Sequence, residues 1–237
     1  MKEAEKYLRK RGGRVIVVSF TSDPYQWEEE RIQLTRRVLE VLSKARQHRV
    51  LILTKNPKLA LRDLDLMLRH GDMWLGATVV SLERNEYEPL APPPEDRLEA
   101  LKQAKQRGVK TWLSIEPIIP SITYPEDIVE VTLGYVDWYV LGSLNYCRQL
   151  KLHSLTEGTL KLWYAAHVKS AVELLKKHGK QFHIKRELLK LIPFITGKCS
   201  ECLHNYMDFC LEHREKVRGE DPACFFMEMA ARGEGDR

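Results

Sequence analysis

Short apolar runs alternate with longer amphipathic stretches along most of the chain. Val15-Ile16-Val17-Val18-Ser19-Phe20 is rich in β-branched residues and shows no polar face, the pattern of a strand buried on both sides in a parallel sheet. Thr21-Ser22-Asp23-Pro24 ends the run. Glu28 to Gln47 then reads as an amphipathic helix, with Ile32, Leu34, Val38, Leu39, Val41 and Leu42 on its apolar side. The same unit recurs. Strands are predicted over 50–54, 73–81, 110–115, 137–141 and 181–184, and helices over 58–69, 94–107, 127–133 and 160–177. Pro94, Glu95 and Asp96 suit a first helical turn, and Gly108 and Gly179 suit helix stops. A basic, helical-looking segment precedes the first strand.

Strands separated by helices of this length imply βαβ units with right-handed crossovers. A barrel and a doubly wound sheet both satisfy that order. No glycine-rich phosphate loop follows the first strand, which removes the main signal for a dinucleotide-binding sheet and favours the barrel. The expected fold is therefore α/β: a partial (β/α) TIM-type barrel over residues 1–192, followed by a Cys-bearing helical tail over 193–237 with a helix from His204 to Arg218.

In a parallel barrel the site lies at the C-terminal strand ends. Here those ends carry Thr21, Ser22 and Asp23, then Thr54 and Lys55, Ser81 and Glu83, Ser114 and Glu116, and Ser143 and Asn145. Singly, each reads as a cap, a turn or a solvated loop. Together they make one mouth suited to a polar, zwitterionic ligand, with carboxylates and hydroxyls for ammonium and ribose and Lys55 for a carboxylate. No nucleophile elbow, phosphate loop or His/Glu metal pair accompanies them, so the mouth binds without an evident catalyst.

Composition adds little beyond a real core and a charged surface, with 43% hydrophobic and 30% charged residues. The net charge of +5 permits anionic partners such as nucleic acid, but Lys and Arg are interleaved with Glu as on a solvated mixed surface. No apolar run is long enough to cross a bilayer, and the charged start does not suit a secretory leader. A cytoplasmic location is expected. The five cysteines are odd in number and four lie in the last forty residues. Cys199, Cys202, Cys210 and Cys224 form C-x2-C-x7-C-x13-C near His204 and His213. That spacing suits zinc or iron–sulfur binding and equally suits inert buried thiols. Cys147 stands alone and reads as a buried thiol. Trp74, Trp112, Trp138 and Trp163 read as core or interface residues rather than a base-stacking platform.

Three stretches carry a family resemblance: SFTSDPYQWEEERIQLTRRVLEVL, VLILTKNPKLALRDLDLM, and the block from ATVVSLE through EPLAPPPEDRLEALKQAKQRGVKTWLSIEPIIP. WYVLGSLNY and FHIKREL extend it more weakly. The ordered set S-DPYQ-x-E, TK-x-P and EP-x-AP-x-PE-x-RLEAL resembles the radical S-adenosylmethionine (SAM) superfamily, in particular its spore photoproduct lyase-like branch, over roughly residues 13 to 190. The resemblance implies a partial (β/α)6 barrel binding a [4Fe–4S] cluster and SAM at its mouth. There the cluster reduces the sulfonium, and the released 5′-deoxyadenosyl radical abstracts hydrogen from a substrate. It implies that Thr21, Ser22 and Asp23 face the methionine amino group, that Ser81, Glu83 and Glu116 face the ribose or methionine part, and that Lys55 lies beside them. The chain departs from the family at one point: it has no C-x-x-x-C-x-x-C cluster loop, and no cysteine precedes Cys147. The expectation is a truncated or split radical SAM protein, with an N-terminal segment or subunit as a partner. The alternative is a degenerate, non-enzymatic barrel that binds a nucleoside-like ligand, nucleic acid or a partner subunit. Neither reading names the substrate.

Overall fold

The computed structural model describes residues 2–18, 22–144 and 157–192, together with three two-residue strands farther on. In chain order the elements are α1 (Lys2–Arg9), β1 (Val15–Val18), α2 (Glu29–Ile32), α3 (Leu34–Leu42), β2 (Arg49–Thr54), α4 (Pro57–Ala60), α5 (Leu64–His70), β3 (Met73–Thr78), α6 (Pro94–Gln106) and β4 (Lys110–Ile118). Then follow α7 (Pro125–Thr132), β5 (Trp138–Ser143), α8 (Glu157–Lys177), β6 (Gln181–Ile184), α9 (Arg186–Leu191), β7 (Asn205–Tyr206), β8 (Phe209–Cys210) and β9 (Glu215–Lys216). Strands β1 to β6 lie in sequence order, every neighbouring pair parallel, and form a curled half-barrel with helices on its outer side. Among the described residues no helix is long and apolar enough to cross a membrane.

Successive residues of a strand point to opposite faces, so each apolar run divides between two cores. Ile16, Val50, Ile52, Leu75, Leu113, Tyr139 and Ile184 face outward and pack with Leu39, Met67, Leu101, Val129 and Val168 of the helices. Leu51, Trp74, Trp112 and Val140 face inward, with Val17, Leu53 and Trp138 beside them, and fill the concave side. This is the physical content of strands buried on both faces.

Two predicted helices are divided, each for a polar reason. The helix expected over Glu28–Gln47 breaks at Gln33, whose φ of 54° is left-handed. There the Glu29 carboxylate accepts from the Thr35 amide at 3.0 Å and the Arg36 amide at 3.4 Å, capping a new helix start. The helix expected over 58–69 becomes α4, a 3₁₀ turn at Leu61–Asp63, and α5. The turn delivers the fully buried Asp63 carboxylate to the Tyr25 hydroxyl at 2.9 Å and the Arg36 guanidinium at 2.7 Å. Farther on, the helix expected over His204–Arg218 is contradicted at the described positions, where β7, β8 and β9 pair antiparallel. Antiparallel pairing lets each short segment satisfy its backbone groups against the next, without the longer run that a helix needs.

The curl of the sheet brings side chains of one strand over the backbone of the next. A Cβ on Gly76 of β3 would overlap the Trp112 indole, whose Nε1 donates to the Ile52 carbonyl at 3.0 Å. Trp112 also stacks on Trp138 at 5.2 Å between centroids. At the N-terminal ends of the strands, Asp72 accepts from Trp74 Nε1 at 2.8 Å, Arg49 Nε at 3.0 Å and Lys110 Nζ at 2.9 Å. Burial alone would raise the Asp72 carboxyl, but those donors hold it down at about 2.

Two outcomes are expected. Gly76→Ala displaces the Trp112 ring and costs ~1–3 kcal/mol of stability, the range for an overpacked core, measured by urea unfolding. Asp72 is more acidic folded than its unfolded value of ~3.9, so its contribution is complete above that pH and is lost as pH falls toward its folded value. The stability of Asp72→Asn should accordingly be flatter than that of the parent between those two pH values.

Candidate functional site at the mouth of the half-barrel

Asp23 links the loops that follow β1 and β2. Its Oδ1 accepts from the Tyr25 amide at 2.8 Å and the Thr54 hydroxyl at 2.6 Å, and its Oδ2 accepts from the Lys55 amide at 2.7 Å. Asn56 Nδ2 donates to the Tyr25 carbonyl at 3.1 Å. Beneath this junction lies the Tyr25–Asp63–Arg36 contact, joined by the Arg62–Glu29 ion pair at 2.6 Å. Burial and the adjoining Asp63 push the Tyr25 hydroxyl well above its ordinary pKa, so it remains a donor to Asp63. The S-DPYQ-x-E segment thus builds a rigid platform through Asp23, Tyr25 and the following Glu29.

A second cluster joins the ends of β2 and β3. Lys55 Nζ lies 2.7 Å from Glu88 Oε1, and Arg97 Nη1 lies 2.8 Å from Glu88 Oε2. Arg97 is buried and also donates to the carbonyls of Thr78 at 2.9 Å and Pro92 at 2.7 Å. It enters from α6, which Pro94 opens at its first position. The Glu88 carboxylate therefore sits between a buried guanidinium and a half-exposed ammonium, and Lys55 reaches the mouth through it.

The third cluster lies across β4, β5 and β6. Strand β4 continues past its expected end at Ile115, with a register shift between Ile115 and Ile118 that sets Glu116 at the rim. A Cβ on Gly142 of β5 would lie 2.7 Å from the Glu116 carboxylate, so bare backbone makes room for that side chain. Lys185, just beyond β6, meets Glu116 Oε2 at 2.5 Å, and both side chains are partly open to solvent. His183 stands two residues before Lys185, on the same face of β6 by the period of two. Burial and Lys185 lower its pKa, with Glu116 opposing, which favours the neutral imidazole. Ser114 and Ser143 are buried nearby in β4 and β5.

The residues expected at the mouth are thus brought together in part. Asp23 contacts the Lys55 backbone, Lys55 joins Glu88, and Glu116 joins Lys185. Ser81 and Glu83 make a separate turn, the Glu83 amide donating to Ser81 Oγ at 3.1 Å, with Glu83 exposed. Ser22 is exposed, and Thr21 lies outside the described residues. Cys147, Cys199, Cys202 and Cys224 lie outside them too, as does the side chain of Cys210 in β8. Glu88, Arg97, His183 and Lys185 were not singled out from the sequence. The first two stand inside EP-x-AP-x-PE-x-RLEAL, and the spacing of two in FHIKREL was the signal for the others.

The described side chains include no cysteine thiolate, and no three His, Cys, Asp or Glu among them are placed to hold a metal ion. The described barrel does not fit a [4Fe–4S] cluster, which is held by thiolates. It does fit the amino-acid part of SAM: Glu116 offers an acceptor for an ammonium or hydroxyl, and Lys185 a donor for a carboxylate.

Residues 2–146 match the model of a family described as Protein of unknown function (DUF5131). An uncharacterized protein of Methanocaldococcus jannaschii is 35% identical over 133 residues, covering 55% of this chain and 50% of that protein. An uncharacterized protein of Acidianus two-tailed virus is 34% identical over 122 residues, covering 50% and 39%. The chain spans half or less of the length of these curated relatives. Among solved structures, Streptococcus suis SuiB bound to S-adenosylmethionine matches with a TM-score of 0.55 at 10% identity, over 81% of this chain and 45% of SuiB. SuiB bound to precursor peptide SuiA matches at 0.54 and 10% identity, over 78% and 41%. A spore photoproduct lyase variant matches at 0.55 and 13% identity, over 77% and 64%. At such identities the likeness shows the fold alone, a curled half-barrel of parallel strands.

Arg97→Met should cost ~3–5 kcal/mol, because it leaves the Glu88 carboxylate largely buried with one of its two cations removed. Denaturant unfolding would show it, and Arg97→Met with Glu88→Leu should regain a large part of the loss.

Proposed function

The chain belongs to the DUF5131 family of proteins of unknown function, and on that premise we propose that it is the barrel body of a radical SAM-type protein, binding S-adenosylmethionine at its mouth. The observation that carries this reading is the Glu116–Lys185 pair, set on the bare backbone of Gly142 at the C-terminal strand ends. Ligands of open parallel α/β folds bind at that end. The likeness to a SuiB structure that contains SAM supports it.

In this reading Lys185 takes the methionine carboxylate and Glu116 the ammonium or a ribose hydroxyl. Ser81 and Glu83, in the turn after β3, are the further candidates for the ribose, and Ser22 is the candidate from the first loop. Both Asp23 oxygens already accept protein donors, so Asp23 acts by positioning, as does Glu88 through Lys55. When present, a [4Fe–4S] cluster would supply the electron that cleaves SAM. Its thiolates would come from outside the described barrel, either from Cys199, Cys202, Cys210 and Cys224 or from a further segment or subunit. Among the described residues no strand pairs with the outer edge of β1, which supports such a completion. A groove of about 510 Å3 runs along it, lined by Val17 from the concave face, Ile16 and Val18 from the convex face, and Val38 and Leu42 of α3. A cavity touched by both faces of an edge strand lies beside that strand, where another strand can add. A second reading, a cluster-free barrel that binds a nucleoside-like ligand without chemistry, is favoured by the lack of cysteine in the described barrel.

Calorimetric titration with SAM tests the mouth. Saturable binding is expected, weakened about tenfold, or ~1.4 kcal/mol, by Glu116→Gln or Lys185→Met. No binding, or binding indifferent to both variants, would contradict the assignment. Iron, sulfide and zinc analysis after anaerobic reconstitution then separates the two readings. A cluster lost in Cys199→Ser/Cys202→Ser supports the radical SAM reading, and SAM binding without any cluster supports the cluster-free barrel.

A further inference from the structure

The end of the strands opposite the mouth is open. A cavity of about 180 Å3 lies between the β1 and β6 edges, walled by Val15, Trp74 and Trp138 and bounded by Arg49, Gln181 and His183. That volume admits a single ring system and falls short of the ~300–1,000 Å3 that encloses a drug-sized ligand. Leu51 also lines it, and the next inward positions toward the mouth, Leu53 on β2 and Val140 on β5, are apolar. On those two strands apolar side chains lie between this cavity and the Glu116–Lys185 site, whereas on β6 His183, two residues from Lys185, borders both.

Three features indicate what it accepts. Two of the walls are indole side chains, on which planar rings stack. Neither Gln181 nor His183 makes a side-chain hydrogen bond to another described residue. An amide and an imidazole together offer both donors and acceptors to a planar edge. The third feature is charge. Arg49, which lines the cavity, and Lys110, which does not, share the single carboxylate of Asp72, leaving one positive charge in excess beside it, with both cations half exposed over the Trp74 ring.

We propose that this cavity binds a purine nucleoside monophosphate: the base rests on the Trp74 and Trp138 walls, its edge bonds to Gln181 and His183, and its phosphate meets Arg49 and Lys110. Apart from His183, which the two sites share as a border, its residues lie at the N-terminal strand ends, and the proposal does not depend on the SAM assignment.

Guanosine 5′-monophosphate is the probe, because SAM carries adenine and not guanine. Titration followed by tryptophan fluorescence should show saturable quenching, with guanosine binding more weakly than its monophosphate. Gln181→Ala and His183→Ala should each weaken the monophosphate by about tenfold, the scale of one lost hydrogen bond. Arg49→Ala with Lys110→Ala should bring the monophosphate down to the affinity of guanosine. Gln181 makes no side-chain hydrogen bond to another described residue, so Gln181→Ala should unfold at the temperature of the parent. Three results would overturn the proposal: no saturable quenching, quenching unchanged in Gln181→Ala, or quenching lost in Glu116→Gln and kept in Gln181→Ala. The last would place the nucleotide at the mouth.

Discussion

Both ends of the concave face depend on how closely β4 overlies its neighbours. Near the floor the Trp112 indole lies across Gly76 of β3, and at the rim the Glu116 carboxylate lies against Gly142 of β5. A side chain at either glycine would push β4 outward and open the curl. The ring stack of Trp112 with Trp138 would separate, and so would the ion pair of Glu116 with Lys185. Close packing leaves little slack for such a shift. One strand therefore sets the apolar filling of the half-barrel and the polar geometry of its mouth together.

The polar clusters around the mouth divide into those that hold the backbone and those left with capacity for a ligand. Asp23, Asp63, Glu29 and Arg97 are occupied by protein partners and fix the loops after β1, β2 and β3. Glu116 and Lys185 pair with each other and remain partly open to solvent. A zwitterionic ligand can replace that pairing, one charge to each, without uncovering a buried ion. The first group preorganises the mouth and the second meets what enters it, a division that limits the ordering cost of binding.

The order of strands and helices was legible because it rests on apolar periodicity, which the parallel sheet enforces along each strand. Gly108 and Gly179 were legible as helix stops for a related reason, since both take the left-handed conformation. The breaks at Gln33 and Asp63 were not. Each depends on where a carboxylate closes, Glu29 on the nearby Thr35 and Arg36 amides and Asp63 on the distant Tyr25 and Arg36 side chains, and the periodicity continues across both. The same limit applied at the mouth. Glu116 could be placed at a strand end, but its partner Lys185 lies 69 residues later (185 − 116), and only the curl of the sheet brings them together. Thr54 and Asp23 stand at strand ends where a site is expected, and their bond to each other shows that a polar strand end can serve the scaffold.

The central claim is that SAM binds across the C-terminal ends of β4, β5 and β6. Hydrogen–deuterium exchange with and without SAM tests it most directly, because it reports position as well as binding. The account predicts slower exchange on adding SAM in peptides covering 114–118, 141–144 and 184–188, with little change at Arg49–Leu51 or Met73–Leu75. Protection confined to the N-terminal strand ends, or none at any SAM concentration, would contradict it.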